Sequence, residues 1–105
     1  MGSDDYRGRS PSQLTYYSDF LRILERQYAF ASVAAVAEEI EFARTVGPAL
    51  AGLINRGDGV FVARIPIGRG DFALVEMELD KRGMLQPVMG SIERKPNNGE
   101  QSQAD

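Results

Sequence analysis

The chain contains no histidine and no cysteine, so the side chains that most often act as general base, metal ligand or nucleophile are missing. Acid–base chemistry would have to use carboxylates or tyrosines. Glu76 and Glu78 lie two residues apart in an alternating run, which places both carboxylates on one strand face about 7 Å apart. That distance is near the spacing of glycosidase carboxylates, but alternation also gives it to solvated side chains. We predict two solvated residues and no catalytic pair.

Two short motifs resemble functional sequences, a dinucleotide-binding loop and the Arg-Gly-Asp tripeptide, but the surrounding sequence argues against both functions. Residues 68–73 match the Gly-x-Gly-x-x-Ala pattern of dinucleotide-binding loops, but such a loop must open a helix inside a βαβ unit. Residues 72–79 alternate as a strand instead. Arg-Gly-Asp occurs at 56–58 and 69–71, where Gly and Asp are common turn residues. Both motifs are interpreted as turns, and no cofactor site is predicted.

The composition is that of an ordinary globular domain. Of 105 residues, 43% are apolar and 26% are charged, with a net charge of −3, which argues against a wholly disordered chain. We predict a disordered segment at 1–10, one domain at 11–95 and a disordered polar tail at 96–105. The sequence has no leader-like start and no apolar run of membrane-spanning length. A cytoplasmic location is therefore expected.

Two amphipathic helices are predicted in the N-terminal half. The first begins after Ser10, or alternatively at Ser18, and its apolar residues recur at spacings of three and four. This stripe consists of Leu14, Tyr17, Phe20, Leu21, Leu24, Tyr28 and Ala31. Ser32 is the predicted N-cap of the second helix, which ends at Gly47 and Pro48. A short third helix over 48–55 is left open.

After residues 55–59 the apolar period changes from 3.6 to two. Two apolar runs joined at 68–70 predict an antiparallel β-hairpin over 57–79. A three-residue loop, with Ile67 opposite Asp71, gives one wholly apolar face. That face consists of Phe61, Ala63, Ile65, Ala73, Val75 and Met77. A two-residue loop would bury the carboxylates of Glu76 and Glu78 without partners, which is strongly unfavourable.

A turn at 80–83 and a third strand at 84–92 follow, and Pro87 suggests an edge position. From Glu93 onward nothing is available to bury, so a disordered tail is expected. The predicted fold is α+β, with two or three N-terminal helices packed on one face of a two- to three-stranded antiparallel β-meander.

The other face of the hairpin carries more apolar side chains than a solvated surface needs. Val60, Val62, Phe72 and Leu74 lie on it beside Arg64, and something must cover them. These five residues are the candidate protein interface. The sequence therefore favours a small non-enzymatic interaction or regulatory module, acting as a homodimer or as the small subunit of a complex.

Two other functions are kept open. Three helices followed by a hairpin is the element order of a winged-helix DNA-binding regulator, with 48–55 as recognition helix. That segment carries no cation before Arg56, so nucleic acid is not the expected partner. The third candidate is a small ligand-binding domain or enzyme that uses Tyr, Asp and Arg in a helix–sheet cleft. No metal or membrane partner is expected.

Overall fold

A computed structural model describes residues 13–95 of the chain, which form two helices and five strands. The helices are α1 (Tyr17–Gln27) and α2 (Phe30–Val46). The strands are β1 (Thr15–Tyr16), β2 (Ile54–Gly57), β3 (Val60–Gly68), β4 (Asp71–Leu79) and β5 (Leu85–Glu93). They form one sheet in the order β1-β5-β4-β3-β2, and every neighbouring pair is antiparallel. The predicted α+β class is confirmed.

The β3–β4 hairpin has the register that the apolar pattern predicts. All seven predicted pairs between residues 60–66 and 72–78 are present. The end of the hairpin differs, because Gly68 rather than Ile67 lies opposite Asp71. Ile67 is the extra residue of a β-bulge, which closes the hairpin with a two-residue turn while keeping the predicted register. The bulge thus does what the predicted three-residue loop was expected to do.

The predicted number of strands was wrong. The third predicted strand is present as β5, but β2 and β1 complete a sheet of five. The possible third helix over 48–55 does not form, since residues 48–52 are turns and β2 begins at Ile54. Gly52 has a φ of 75°, which lies in the left-handed region and cannot continue a right-handed helix.

Pro87 lies in β5, which is the second strand of the sheet and not an edge strand. β1 pairs only with Met89 and Gly90, so Pro87 lies outside the part of β5 that β1 covers. A register shift between β4 and β5 also occurs next to Pro87. A residue without an N–H group is tolerated on that side of β5, because β1 does not pair with Pro87 and no hydrogen bond to β1 is lost there.

The N-terminal helices differ in detail from the prediction. The predicted N-cap Ser10 lies outside the described residues, and α1 begins only at Tyr17 because the preceding residues form β1. Ser32 is not the N-cap of α2, which is Ala29. The Ser32 hydroxyl instead donates a buried 3.2 Å hydrogen bond to the Ile67 carbonyl oxygen. α2 ends before Gly47, as predicted.

The predicted disordered segments at 1–10 and 96–105 lie outside the described residues. Glu93, Arg94 and Lys95 were also expected to belong to the tail, and this was wrong. Glu93 ends β5, and the two residues after it make hydrogen bonds to the rest of the chain. These bonds depend on contacts with distant residues that local composition does not reveal.

Both helices cover the same face of the sheet. α1 packs on β5, and α2 packs on β3 and β5. The buried core consists of Phe20, Leu24, Val36, Ile40, Ala43, Ala63, Ile65, Ile67, Ala73, Val75, Met77, Leu85 and Ile92. All six residues that the hairpin pattern assigned to this face lie in the core or, like Phe61, pack against it.

α1 approaches β5 most closely at Gly90. A Cβ atom added there would lie 2.5 Å from Cδ2 and 2.6 Å from Cγ of Phe20. Phe20 is 1% exposed and therefore has little room to move. We expect Gly90→Ala to lower the free energy of unfolding by about 1–3 kcal/mol through overpacking. Urea unfolding followed by circular dichroism measures this change.

A second substitution separates this clash from a general effect on β5. Phe20→Ala by itself removes core volume, including Cγ and Cδ2, and is expected to destabilise the protein. In the Gly90→Ala background it also relieves the clash, so the double variant should be more stable than the sum of the two losses implies. Strict additivity of the two changes would show that the Phe20–Gly90 contact is not the cause.

Candidate functional site

The five predicted interface residues lie on the sheet face opposite the helices, here named the open face. Arg64 pairs with Leu74, and Val62 and Phe72 occupy neighbouring positions on the same face. Val62, Phe72 and Leu74 are partly exposed, and Arg64 is exposed. Val60 is only 7% exposed and offers little surface. The structure therefore brings the predicted residues together, with Val60 the least accessible.

A row of side chains crosses the open face through all five strands. From β1 to β2 the register aligns Tyr16, Met89, Glu76, Val62 and Ile54. The residues at the two ends are the most exposed, with 68% for Tyr16 and 53% for Ile54. The apolar part of this face therefore reaches both edges of the sheet, beyond the five residues that were predicted.

Two ion pairs lie on the open face, and each spans the strand between its partners. Arg56 Nη1 on β2 lies 2.8 Å from Glu76 Oε2 on β4, and Arg64 Nε on β3 lies 2.8 Å from Glu93 Oε1 on β5. The Arg64 guanidinium also lies 3.6 Å from the centroid of the Phe72 ring. Part of the cover that Phe72 requires thus comes from the same chain.

The sequence motifs with catalytic or nucleotide-binding associations have structural roles. Glu76 is paired with Arg56 rather than merely solvated, and its side chain is 20% exposed. Glu78 is exposed, as predicted. The glycine-rich residues 68–70 lie at the end of the hairpin, where Gly68 ends β3 and residues 69–70 form the turn. These features therefore shape the sheet and its open face.

A second group of polar side chains lies where the α1–α2 connection meets the β3–β4 turn. This group, named the polar corner, consists of Gln27, Tyr28, Arg69, Asp71, Arg94 and Lys95. The Tyr28 hydroxyl donates a 2.6 Å hydrogen bond to Asp71 Oδ2, and the main-chain N–H of Lys95 donates a 2.7 Å bond to Oδ1. Asp71 is 8% exposed. Both of its carboxylate oxygens are therefore held by donors of the protein.

Two guanidinium groups meet at Gln27 in the polar corner. Arg69 Nη2 donates to the Gln27 main-chain oxygen at 2.6 Å, and Arg94 Nη2 donates to Gln27 Oε1 at 3.1 Å. Arg94 Nη1 also lies 3.4 Å from the Tyr28 hydroxyl oxygen, and Arg69 lies 4.5 Å from the centroid of the Tyr28 ring. These contacts join the α1–α2 connection to the β3–β4 turn and the end of β5.

The environment raises the pKa of Tyr28 and lowers the pKa of Asp71. Burial raises the pKa of Tyr28, and the hydrogen bond to Asp71 and its charge raise it further, against the opposing effects of Arg94 and Arg69. Burial alone would raise the pKa of Asp71, but the hydrogen bonds from Tyr28 and Lys95 and the two guanidiniums lower it. At neutral pH a neutral phenol therefore donates to an ionised carboxylate.

A third polar group fixes the opposite end of β5 to α2. Arg44 Nε donates to the Leu85 main-chain oxygen, and Arg44 Nη2 donates to Gln86 Oε1, both at 2.9 Å. Asp80 accepts main-chain hydrogen bonds within its turn and one from Gln86 Nε2 at 3.1 Å. The bond from the Met84 N–H is the largest cause that lowers the pKa of Asp80, followed by the bond from Gln86. This group confirms the predicted turn at 80–83.

Sequence reasoning missed the polar corner. Tyr28 was assigned to an apolar helix stripe, Asp71 to a turn and Arg94 to the tail. One signal was available, because the predicted register places Asp71 on the core face beside Ala73, where a carboxylate needs donors. Those donors lie 43 residues away in Tyr28 and 24 residues away in Lys95. No local pattern could have identified them.

Comparison of the chain with protein-family models, curated proteins and solved structures found no match. Within residues 13–95, no group of three or more metal-ligating side chains could hold a metal ion. Neither α1 nor α2 is long and apolar enough to cross a membrane. Function must therefore be inferred from the open face and the polar corner.

Asp71→Asn is expected to flatten the acid dependence of stability. The folded protein lowers the pKa of Asp71, so the carboxylate stabilises the fold above its unfolded pKa of about 3.9. This contribution is lost as the pH falls through that value toward the lower folded pKa. In urea unfolding between about pH 7 and pH 3, the wild type should lose more stability below about pH 5 than Asp71→Asn loses.

Asp19→Asn is the matched control for this prediction. Asp19 is an exposed carboxylate paired with Arg22 at 3.0 Å, and it lies in the first turn of α1, whereas Gln27 of the polar corner is the last residue of that helix. Its substitution makes the same chemical change and should retain the acid dependence of the wild type. Equal flattening by both substitutions would show that Asp71 has no special part in the acid response.

Proposed function

We propose that the protein is a small non-enzymatic interaction module that associates with a second copy of itself through the open face of its sheet. The observation that carries this proposal is the asymmetry of the sheet, whose helices cover one face while the other keeps partly exposed apolar side chains. An apolar sheet face is stabilised when a second layer covers it. In this small protein, a partner molecule would supply that layer.

The size of the open face is compatible with a stable interface. Each of the three central strands has nine residues, and in projection together they cover roughly 400 Å². The outer strands and the relief of the side chains increase the accessible area. This brings the face to the order of the ~800 Å² that each partner contributes to a stable complex.

The charge distribution on the open face favours a second copy over a strongly charged partner. Arg56 is paired with Glu76, and Arg64 is paired with Glu93. In each pair the cation neutralises the carboxylate of the same chain. Two identical faces could therefore approach each other without strong repulsion. A strongly acidic or basic partner would gain little from this face. The small-subunit form of the prediction would use the same surface with a different protein.

The winged-helix alternative required a third helix, and the structure has none at the predicted position. Its recognition helix was expected over 48–55, but this segment consists of turns and the start of β2. Arg56 and Arg64 are engaged in ion pairs, whereas binding to nucleic acid depends on cations that can contact phosphates. We therefore do not propose nucleic-acid binding.

Val62→Glu combined with Leu74→Glu is expected to convert a dimer into a monomer. Both substitutions add a carboxylate near the centre of the open face, and a two-fold interface would bury these charges close to their copies. Sedimentation equilibrium from about 1 to 100 µM measures the association. The wild type should approach twice the mass of one chain, and the variant should remain at the mass of one chain. Circular dichroism verifies that the variant is folded.

Phe30→Glu combined with Leu50→Glu is the matched control. These side chains are 69% and 80% exposed, and both lie outside the sheet. The control should retain the mass of the wild type. A wild type that stays monomeric at about 100 µM would contradict self-association. Dissociation by the control pair, with the sheet variant still dimeric, would place the interface on the helical side instead.

A further inference from the structure

The polar corner brings together the Tyr, Asp and Arg side chains that the ligand-binding alternative required. Around the β3–β4 turn it holds three cations, Arg69, Arg94 and Lys95, and one anion, Asp71. Lys95 lies close to the turn, because a Cβ atom added at Gly70 would lie 2.8 Å from Lys95 Cδ. With Asp71 ionised, these groups carry a net charge of +2. The corner is therefore a local region of positive potential on a chain whose net charge is −3.

Asp71 does not neutralise the two arginines by direct contact. Its oxygens accept hydrogen bonds from Tyr28 and from the Lys95 main chain. Among residues 13–95, no carboxylate lies at ion-pairing distance from Arg69 or Arg94. Both guanidiniums instead bond neutral oxygens of Gln27 and Tyr28. Two like charges are thus held beside one residue, and a bound anion would relieve their repulsion.

The two guanidiniums retain most of their hydrogen-bonding capacity. Each has five N–H donors, of which Arg69 uses one and Arg94 uses two for hydrogen bonds within the described chain. Arg69 is exposed and Arg94 is partly exposed, so a ligand can reach both from solvent. Planar forked donors suit the oxygens of a phosphate group and contact two of them at once.

We propose that the polar corner binds the phosphate group of a small molecule between Arg69 and Arg94, with the Lys95 ammonium at the edge of the site. A phosphate dianion would balance the net charge of +2, whereas a single carboxylate would balance only half of it. Gln27 and Tyr28 are positioning residues, because each of them contacts both guanidiniums. This site is separate from the open face and does not depend on self-association.

Titration of the full ¹⁵N-labelled chain with inorganic phosphate and, separately, with ribose 5-phosphate tests the site by NMR. Sodium chloride at equal ionic strength is the reference. We expect saturable shifts of the Gly70, Asp71 and Lys95 amides and of the Arg69 and Arg94 side-chain N–H groups. Tighter binding of ribose 5-phosphate would identify a phosphomonoester as the ligand class, and equal binding would identify free phosphate; either result supports the site.

Two results of the titration would overturn the proposal. One is that neither phosphate compound saturates the shifts at about 20 mM. This concentration is far above the dissociation constant expected for several charge-assisted hydrogen bonds. The other is binding of acetate with the same affinity, because the site is inferred to match a dianion rather than any anion. Shifts that saturate elsewhere on the chain count against the polar corner in the same way.

Arg69→Gln combined with Arg94→Gln is expected to weaken phosphate binding about tenfold or more. Arg22→Gln combined with Arg26→Gln removes the same charge from the exposed side of α1 and should bind as the wild type does. Equal weakening by both pairs would indicate a general charge effect and overturn the site.

A single substitution keeps the test decisive if the double variant does not fold. Arg69 is an exposed turn residue, so Arg69→Gln is expected to fold and to weaken phosphate binding by itself. Arg69→Lys keeps the charge but loses the forked N–H donors of the guanidinium. Its affinity for phosphate should therefore lie between the affinities of Arg69→Gln and the wild type. Unchanged affinity in a folded Arg69→Gln variant would overturn the proposal.

Discussion

The register of the β3–β4 hairpin is the constraint on which the rest of this structure depends. Side chains alternate between the two faces of a strand, so a slip of one residue would exchange the entire content of the faces. In the observed register, Ala63 and Val75 face the helices while Glu76 faces away from them. The bulge at Ile67 maintains this register through a two-residue turn. Burial of unpaired carboxylates excludes the alternative.

One consequence of this register is that only one face of the sheet must be covered by helices. α1 supplies Phe20, which approaches β5 so closely that only glycine fits at position 90. The start of α2 is held against β3 by the buried bond from Ser32 to Ile67, and its end is held against β5 by Arg44. The helices are thus fixed by a few polar contacts as well as by apolar packing.

The same register creates two surfaces of different electrostatic character. On the open face, cations and carboxylates pair across an intervening strand and leave little net charge. At the polar corner, Asp71 is held by Tyr28 and Lys95, and the two arginines bond neutral oxygens. A neutral, partly apolar surface suits a protein partner, whereas a compact excess of positive charge suits a small anion. The two proposals therefore concern separate surfaces.

The sequence by itself determined the α+β class, the register of the hairpin, the end of α2 at Gly47 and the composition of both faces of β3 and β4. These features follow from alternation and from backbone preferences, which act over a few residues. Only the tertiary structure decided that residues 15–16 and 54–57 become strands, because a short strand forms when an existing strand offers it hydrogen-bonding partners. The polar corner likewise required contacts between residues up to 67 positions apart, and no local pattern encodes such contacts.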